Sequence, residues 1–162
     1  MRKFLLILCS VLLLAGCSTQ ETMETVMDEP AQPVSAQQRE IYVDLPEEAV
    51  MPAMESEDGL LYMCKNFDVV IQTLDGGDLQ KTIQEVSGYR PEELTVVQTQ
   101  DGELIRSEFV WSTAGEAGEQ VCRAAILDDG NYHYVLTAMI DEENAWAYQE
   151  MWNGMFESFE VI

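Results

Sequence analysis

Gln120-Val121-Cys122-Arg123-Ala124-Ala125-Ile126-Leu127, then Asp128-Asp129-Gly130-Asn131, then Tyr132-His133-Tyr134-Val135-Leu136-Thr137-Ala138-Met139-Ile140, is the stretch on which the fold turns. Two apolar runs, rich in β-branched and aromatic residues, flank four residues with turn chemistry. Two strands joined so closely must run antiparallel. Upstream the motif recurs: residues 94–98 and 103–111 read as strands separated by Gln100-Asp101-Gly102, where Asp-Gly is a strong hairpin cue. The loop Ala114-Gly115-Glu116-Ala117-Gly118 joins the two hairpins, so this half is a four-strand meander.

Before the meander the period is helical. Asp78 suits an N-cap, Leu79, Ile83 and Val86 fall on one face, Gly88 suits a left-handed C′ position and Pro91 forbids resumption. Earlier still, residues 67–73, 60–64 and 41–45 read as strands, and 49–54, broken by Pro52, as an edge piece or loop. After the meander, Asp141 caps a second helix with Glu142 and Glu143 in its first turn. Its stripe of Ala145, Tyr148, Trp152, Met155 or Phe156, and Phe159 predicts one continuous helix, with Trp146 off the stripe. The expected fold class is therefore α+β, an antiparallel sheet of about six to seven strands over residues 39–162 in a single domain.

Ser87-Gly88-Tyr89 after the first helix, the paired strands around Asp128-Asp129-Gly130 and the final Ser158-Phe159 carry a resemblance. The order of elements resembles the PsbP-like α/β/α sandwich, also seen in a Ran-binding nuclear import factor and in many small bacterial lipoproteins. That resemblance implies helices on both faces of the sheet and a non-catalytic binding or accessory role. It carries no ligand residue over.

The N-terminus gives an address. Arg2 and Lys3 precede an apolar run at residues 4–14, 11 residues long. Roughly 20 are needed to span the hydrocarbon core, so the run reads as the h-region of a signal peptide covering 1–16. Leu14-Ala15-Gly16-Cys17 resembles the bacterial lipobox, which implies cleavage before Cys17 and acylation of its thiol. Two acyl chains suffice for stable anchoring where one is marginal. Residues 17–38 hold no aromatic and are rich in Glu, Thr, Gln, Pro and Ala, so the expectation is a lipidated N-terminus and a disordered tether. Such a tether spans roughly 25 Å.

Removing 1–16 leaves 146 of 162 residues, with 6 basic against 30 acidic side chains, a net of −24. Nucleic-acid phosphates need clustered Lys and Arg, so that partner class is excluded. Anionic head groups are disfavoured too, and the domain is expected to stand off the bilayer. The partners that remain are the membrane, through the lipid on Cys17, and an unknown envelope protein or small cationic ligand.

With Cys9 in the leader and Cys17 acylated, Cys64 and Cys122 are left. Export permits a disulfide between them, closing about 58 residues for roughly 4 kcal/mol in the chain-entropy model; alternatively both are free small hydrophobes. A redox or zinc site is disfavoured by the absence of Cys-x-x-Cys and the single histidine, His133. His133 sits mid-strand and reads as structural, no Gly-x-Ser-x-Gly elbow occurs, and no phosphate loop with its Lys is present. The acidic turns are the weak metal candidates. Asp75 and Asp78, or Asp128, Asp129 and Asn131, offer oxygens to calcium, but their turn-forming role explains them without it. No cofactor and no catalytic residue is expected. The leading reading is a lipid-anchored extracytoplasmic binding or accessory protein of the cell envelope. The alternatives are an envelope hydrolase using carboxylates and a calcium- or cation-binding envelope protein.

Overall fold

The computed structural model describes residues 36–115 and 118–162; the leader, Cys17 and the tether up to residue 35 lie outside the described residues. In chain order these form β1 (Ile41–Tyr42), β2 (Met54–Glu55), β3 (Gly59–Met63), β4 (Phe67–Asp75) and α1 (Leu79–Ser87). A 3-10 turn at Pro91–Glu93 follows, then β5 (Val97–Asp101), β6 (Leu104–Ala114), β7 (Glu119–Asp128) and β8 (Tyr132–Asp141). The chain closes with α2 (Glu142–Ala145), α3 (Gln149–Ser158) and β9 (Glu160–Val161).

Seven strands make one antiparallel sheet in the order β2-β3-β4-β8-β7-β6-β5. The hairpin of β7 and β8 lies at its centre, with Ala125 opposite Leu136 and Asp128 opposite His133. Central position explains why these strands read as nearly unbroken apolar runs: both of their faces are covered. Ala125, Leu127, Tyr134, Leu136, Ala138 and Ile140 are buried with Trp152, Met155, Phe156 and Phe159 from the α3 side. Cys122, Ala124, Ile126 and Val135 are buried on the opposite face with Phe109, Trp111 and Ile83 of α1. The α+β class and the helices on both faces are as expected.

The first helix follows its local signals closely. The Asp78 carboxylate accepts from the Gln80 N–H at 3.0 Å, and Gly88 takes the left-handed conformation at φ 77°. The second helix departs from expectation. In place of one run from Asp141 to Phe159, α2 stops at Ala145 and α3 restarts at Gln149. Tyr148 at the break packs its ring on Phe67, centroids 5.5 Å apart, and its hydroxyl accepts from Asn66 at 2.7 Å. These contacts fix the Tyr148 side chain against the start of β4. Nor does the Asp141 side chain cap the helix; it accepts from Gln120 across the β7–β8 pair at 3.2 Å.

Two further differences are long-range. Only Ile41–Tyr42 of the first expected strand pairs, and its partner is β9 at the opposite end of the chain. Glu40 and Ile162 complete that pairing with reciprocal backbone hydrogen bonds of 3.1 and 2.9 Å. The compact unit also begins at Ala36, before residue 39. The Tyr132 hydroxyl donates to the Ala36 carbonyl at 3.0 Å, holding this segment against the start of β8.

Candidate functional site

The acidic turn between β7 and β8 gathers the most polar groups, and the fold uses nearly all of them. Asp129 Oδ1 accepts from the backbone N–H of Asn131 at 2.9 Å and of Tyr132 at 2.8 Å. Its Oδ2 accepts from the Tyr134 hydroxyl at 3.1 Å and lies 3.6 Å from Arg39 Nε. The same hydroxyl accepts from the Arg39 N–H at 2.9 Å, so the turn clamps the entering chain. Burial pushes the Asp129 carboxyl up, but the two backbone donors, the tyrosine and the arginine outweigh it and hold it below the usual carboxylate range. Asp128 Oδ1 accepts from the Gly130 N–H at 2.7 Å.

A carboxylate so occupied has little left for a cation that wants six to eight oxygens. The other candidates divide likewise, with Asp78 capping α1 and Asp75 at the end of β4. Among the described residues no three His, Cys, Asp or Glu side chains are grouped as a metal site. We expect Asp129→Ala to cost about 2 kcal/mol, because it removes the acceptor of the Tyr132 N–H and of the Tyr134 hydroxyl. The sign with pH follows from the lowered carboxyl: its contribution is present above the unfolded value near 3.9 and lost as pH falls through the folded value. Urea melts at pH 7 and pH 3 should therefore show the variant's deficit shrinking in acid, with millimolar calcium leaving both midpoints unchanged. A calcium shift lost in the variant would instead restore the metal reading.

Behind the turn is a constellation that sequence reading did not find. His133 is fully buried; its Nδ1 lies 2.7 Å from Thr82 Oγ1 on α1, and its Nε2 lies 3.7 Å from Asp128 Oδ2. Hydroxyl, imidazole and carboxylate in a row suggest nucleophile chemistry, but the burial decides against it. His133 is 0% and Thr82 6% exposed, so no substrate atom reaches either group. The row pins α1 to the sheet. The one local signal was that Thr82 adjoins Ile83 on the inward face of α1, which gives no hint of its partner 51 residues away.

Of the two readings of Cys64 and Cys122, the structure has the free pair: no bridge joins them. Cys122 is in register with Met139, Asp68 and Met63, which places β8 and β4 between it and β3, the strand that Cys64 follows. Three strand spacings are roughly 14 Å, about twice the span a disulfide bridges. The two thiols also serve opposite faces, Cys64 packing toward α3 and Cys122 toward α1. Burial pushes the Cys122 thiol up to about 11, and burial and Asp68 raise Cys64, so neither is an activated nucleophile.

A second polar cluster joins the sheet to α3. Glu108 on β6 accepts from Arg106 Nε at 2.6 Å and Arg123 Nη2 at 2.7 Å. Arg106 also donates to the carbonyls of Phe159 at 3.0 Å and Phe156 at 2.5 Å. Arg123 lies 4.3 Å over the Phe156 ring and donates to Asn153 at 3.1 Å. With Arg39, Lys81 and Arg90 also ion-paired, five of the six Lys and Arg among the described residues have a carboxylate partner within the fold. The surface is left strongly acidic.

No protein-family model and no curated protein matches the chain. Among solved structures, cyanobacterial PsbP (CyanoP) from Synechocystis sp. PCC 6803 superposes with a TM-score of 0.51 at 9% identity, over 81% of this chain and 96% of that one. The fold is PsbP-like. A crystal structure from Bacteroides thetaiotaomicron VPI-5482 matches with a TM-score of 0.51 at 12% identity, over 75% of this chain. It covers 45% of that longer protein, so this chain corresponds to less than half of it. LpqN of Mycobacterium tuberculosis, involved in cell envelope biogenesis, aligns at 13% identity over 82% of this chain and 87% of its own, with a TM-score of 0.48. At these identities the likeness is one of fold. No helix among the described residues is long and apolar enough to cross a membrane.

Proposed function

We propose that this chain is an extracytoplasmic, lipid-anchored binding or accessory protein of the bacterial cell envelope, held to the membrane through Cys17. The observation that carries the reading is the short apolar run at 4–14 ending in Leu14-Ala15-Gly16-Cys17, after which the composition turns polar and acidic. A non-catalytic role is supported by where the chemistry has gone. The histidine and its hydroxyl are sealed in the core, burial raises both thiols, and the carboxylates that accept the most hydrogen bonds brace a turn and a helix. A hydrolase using paired carboxylates needs both open to a cleft, and Asp129 and Glu108 are already committed.

The test is cell fractionation of the chain and its Cys17→Ala variant, with mass spectrometry of the mature N-terminus. The wild type should sediment with membranes, dissolve in detergent and begin at a diacylated Cys17. The variant should leave the lipid-modified membrane pool, at least tenfold down, because the anchor rests on the acyl chains. An unmodified N-terminus elsewhere, or identical distributions of the two proteins, would overturn the anchor.

A further inference from the structure

The α1 face of the sheet is only half covered. α1 lies over β6, β7 and β8 and reaches Leu74 at the end of β4, while β2, β3 and the rest of β4 present their side chains on that face with no helix among the described residues upon them. Two adjoining hollows of about 460 and 260 Å³ follow this surface from the β2 edge to the flank of α1, sharing Val70, Gln72 and Leu74. Met54, Leu61, Val70, Leu74, Val86 and Met139 form the apolar floor. Met54 is 67% exposed, and Met63, on the same face of β3 as Leu61, is 65% exposed. Apolar side chains so arranged on an otherwise acidic surface mark an interaction site, and methionine is the residue that repacks around differing partners.

We propose that this groove docks a basic amphipathic helix from a partner protein, which gives the binding role argued above its partner class. The width is that of a missing helix. From β2 to β8 is three strand spacings, roughly 14 Å, beside α1, and a helix with its side chains is roughly 10 Å across. The charge sets the partner's sign. The lining includes the carboxylates of Glu55, Asp58 and Glu85 and no Lys or Arg, and Lys81 nearby is already paired with Glu85 at 3.1 Å. Asp68 lies on the same face of β4 as Val70. A helix with an apolar stripe and lysines on its flanks meets both surfaces at once. A second copy of this chain brings the same large negative charge and is repelled.

The experiment measures fluorescence anisotropy of a labelled 15-residue Leu/Lys amphipathic helix against the full chain in phosphatidylcholine nanodiscs, with empty discs subtracted. Controls are a scrambled Leu/Lys peptide and a Leu/Glu helix with the same stripe. Saturable binding that weakens from 50 to 500 mM salt is expected for the Leu/Lys helix alone. It should fall at least tenfold in the double variant Met54→Lys, Met63→Lys, whose positions are exposed and whose unchanged melting curve verifies the fold. The proposal is overturned if all three peptides bind alike or the double variant binds as wild type. It is also overturned if sedimentation shows a dimer that those substitutions abolish, which would make the occupant a second copy. Should Cys17 prove unmodified, the chain is assayed free in buffer, so failure of the anchor and failure of the groove are read separately.

Discussion

Replacing Phe156 with alanine should lower the unfolding free energy by about 3–5 kcal/mol, the largest loss expected from any single side chain in α3. Phe156 is 0% exposed and sits where α3 meets the sheet, among Ala125, Leu127, Tyr134 and Leu136. Its ring is also the platform for Arg123, whose guanidinium lies 4.3 Å above the centroid. The cavity left by the truncation is walled on the sheet side by β7 and β8, strands held from both edges, so it cannot collapse. Loss of apolar transfer and an unfilled void then add. Domains of this kind are stable by about 5–15 kcal/mol, and the variant should melt well below the wild type. Phe156→Leu, which fills most of the volume but offers Arg123 no ring, should cost about half as much. Urea unfolding at constant m-value checks both; a loss under 1 kcal/mol for the alanine variant would mean that α3 contributes little to the core.

The parts of this fold that could be read from sequence are those whose causes are local. Asp78 and Gly88 bound α1 because a cap and a left-handed residue act within one turn of the chain. The turn at Asp128-Asp129-Gly130-Asn131 was legible because Asp side chains bond the backbone two and three residues on. Where the deciding contact lies far along the chain, reading fails. A strand at 41–45 was legible, but β9 is two residues long, too short to carry a pattern, and lies at the opposite end of the domain, so the pairing was not. The strand placed at Leu94 begins instead at Val97, because Leu94 and Val96 pack toward the α1 core before the ladder with β6 starts. The break after Ala145 is set by Phe67 and Asn66, which no helical period can sense. The cysteines illustrate the same limit: their spacing allowed a bridge, while the insertion of β8 beside β4 forbids it. The Thr82–His133 contact and the Arg106–Glu108–Arg123 cluster depend on register and strand order, and were invisible for that reason.

Arg106 should prove the most sensitive charged position. It is 20% exposed, and its guanidinium holds Glu108 together with the carbonyls of Phe156 and Phe159, which the end of α3 leaves without helical partners. Arg106→Met keeps the apolar stem but strands both carbonyls and half of the Glu108 carboxylate, for an expected loss of about 2–4 kcal/mol at pH 7. The pH dependence separates the two contributions. Burial raises the Glu108 carboxyl, but the bonds from Arg123 and Arg106 prevail and hold it below the usual range. A carboxyl lowered by folding contributes stability above its unfolded value near 4.3, and that contribution disappears as pH falls through the folded value. The deficit of Arg106→Met should therefore be greatest at neutral pH and shrink below about pH 4, as Glu108 is protonated in wild type and variant alike. It should not vanish, because arginine stays charged and its bonds to the two carbonyls persist in acid. Glu108→Gln should flatten the acid limb of the stability curve, and the double variant should fall short of additivity by about 1–3 kcal/mol. If Arg106→Met shows the same deficit at pH 3 and pH 7, the carbonyl bonds alone hold α3 and the ion pair contributes nothing.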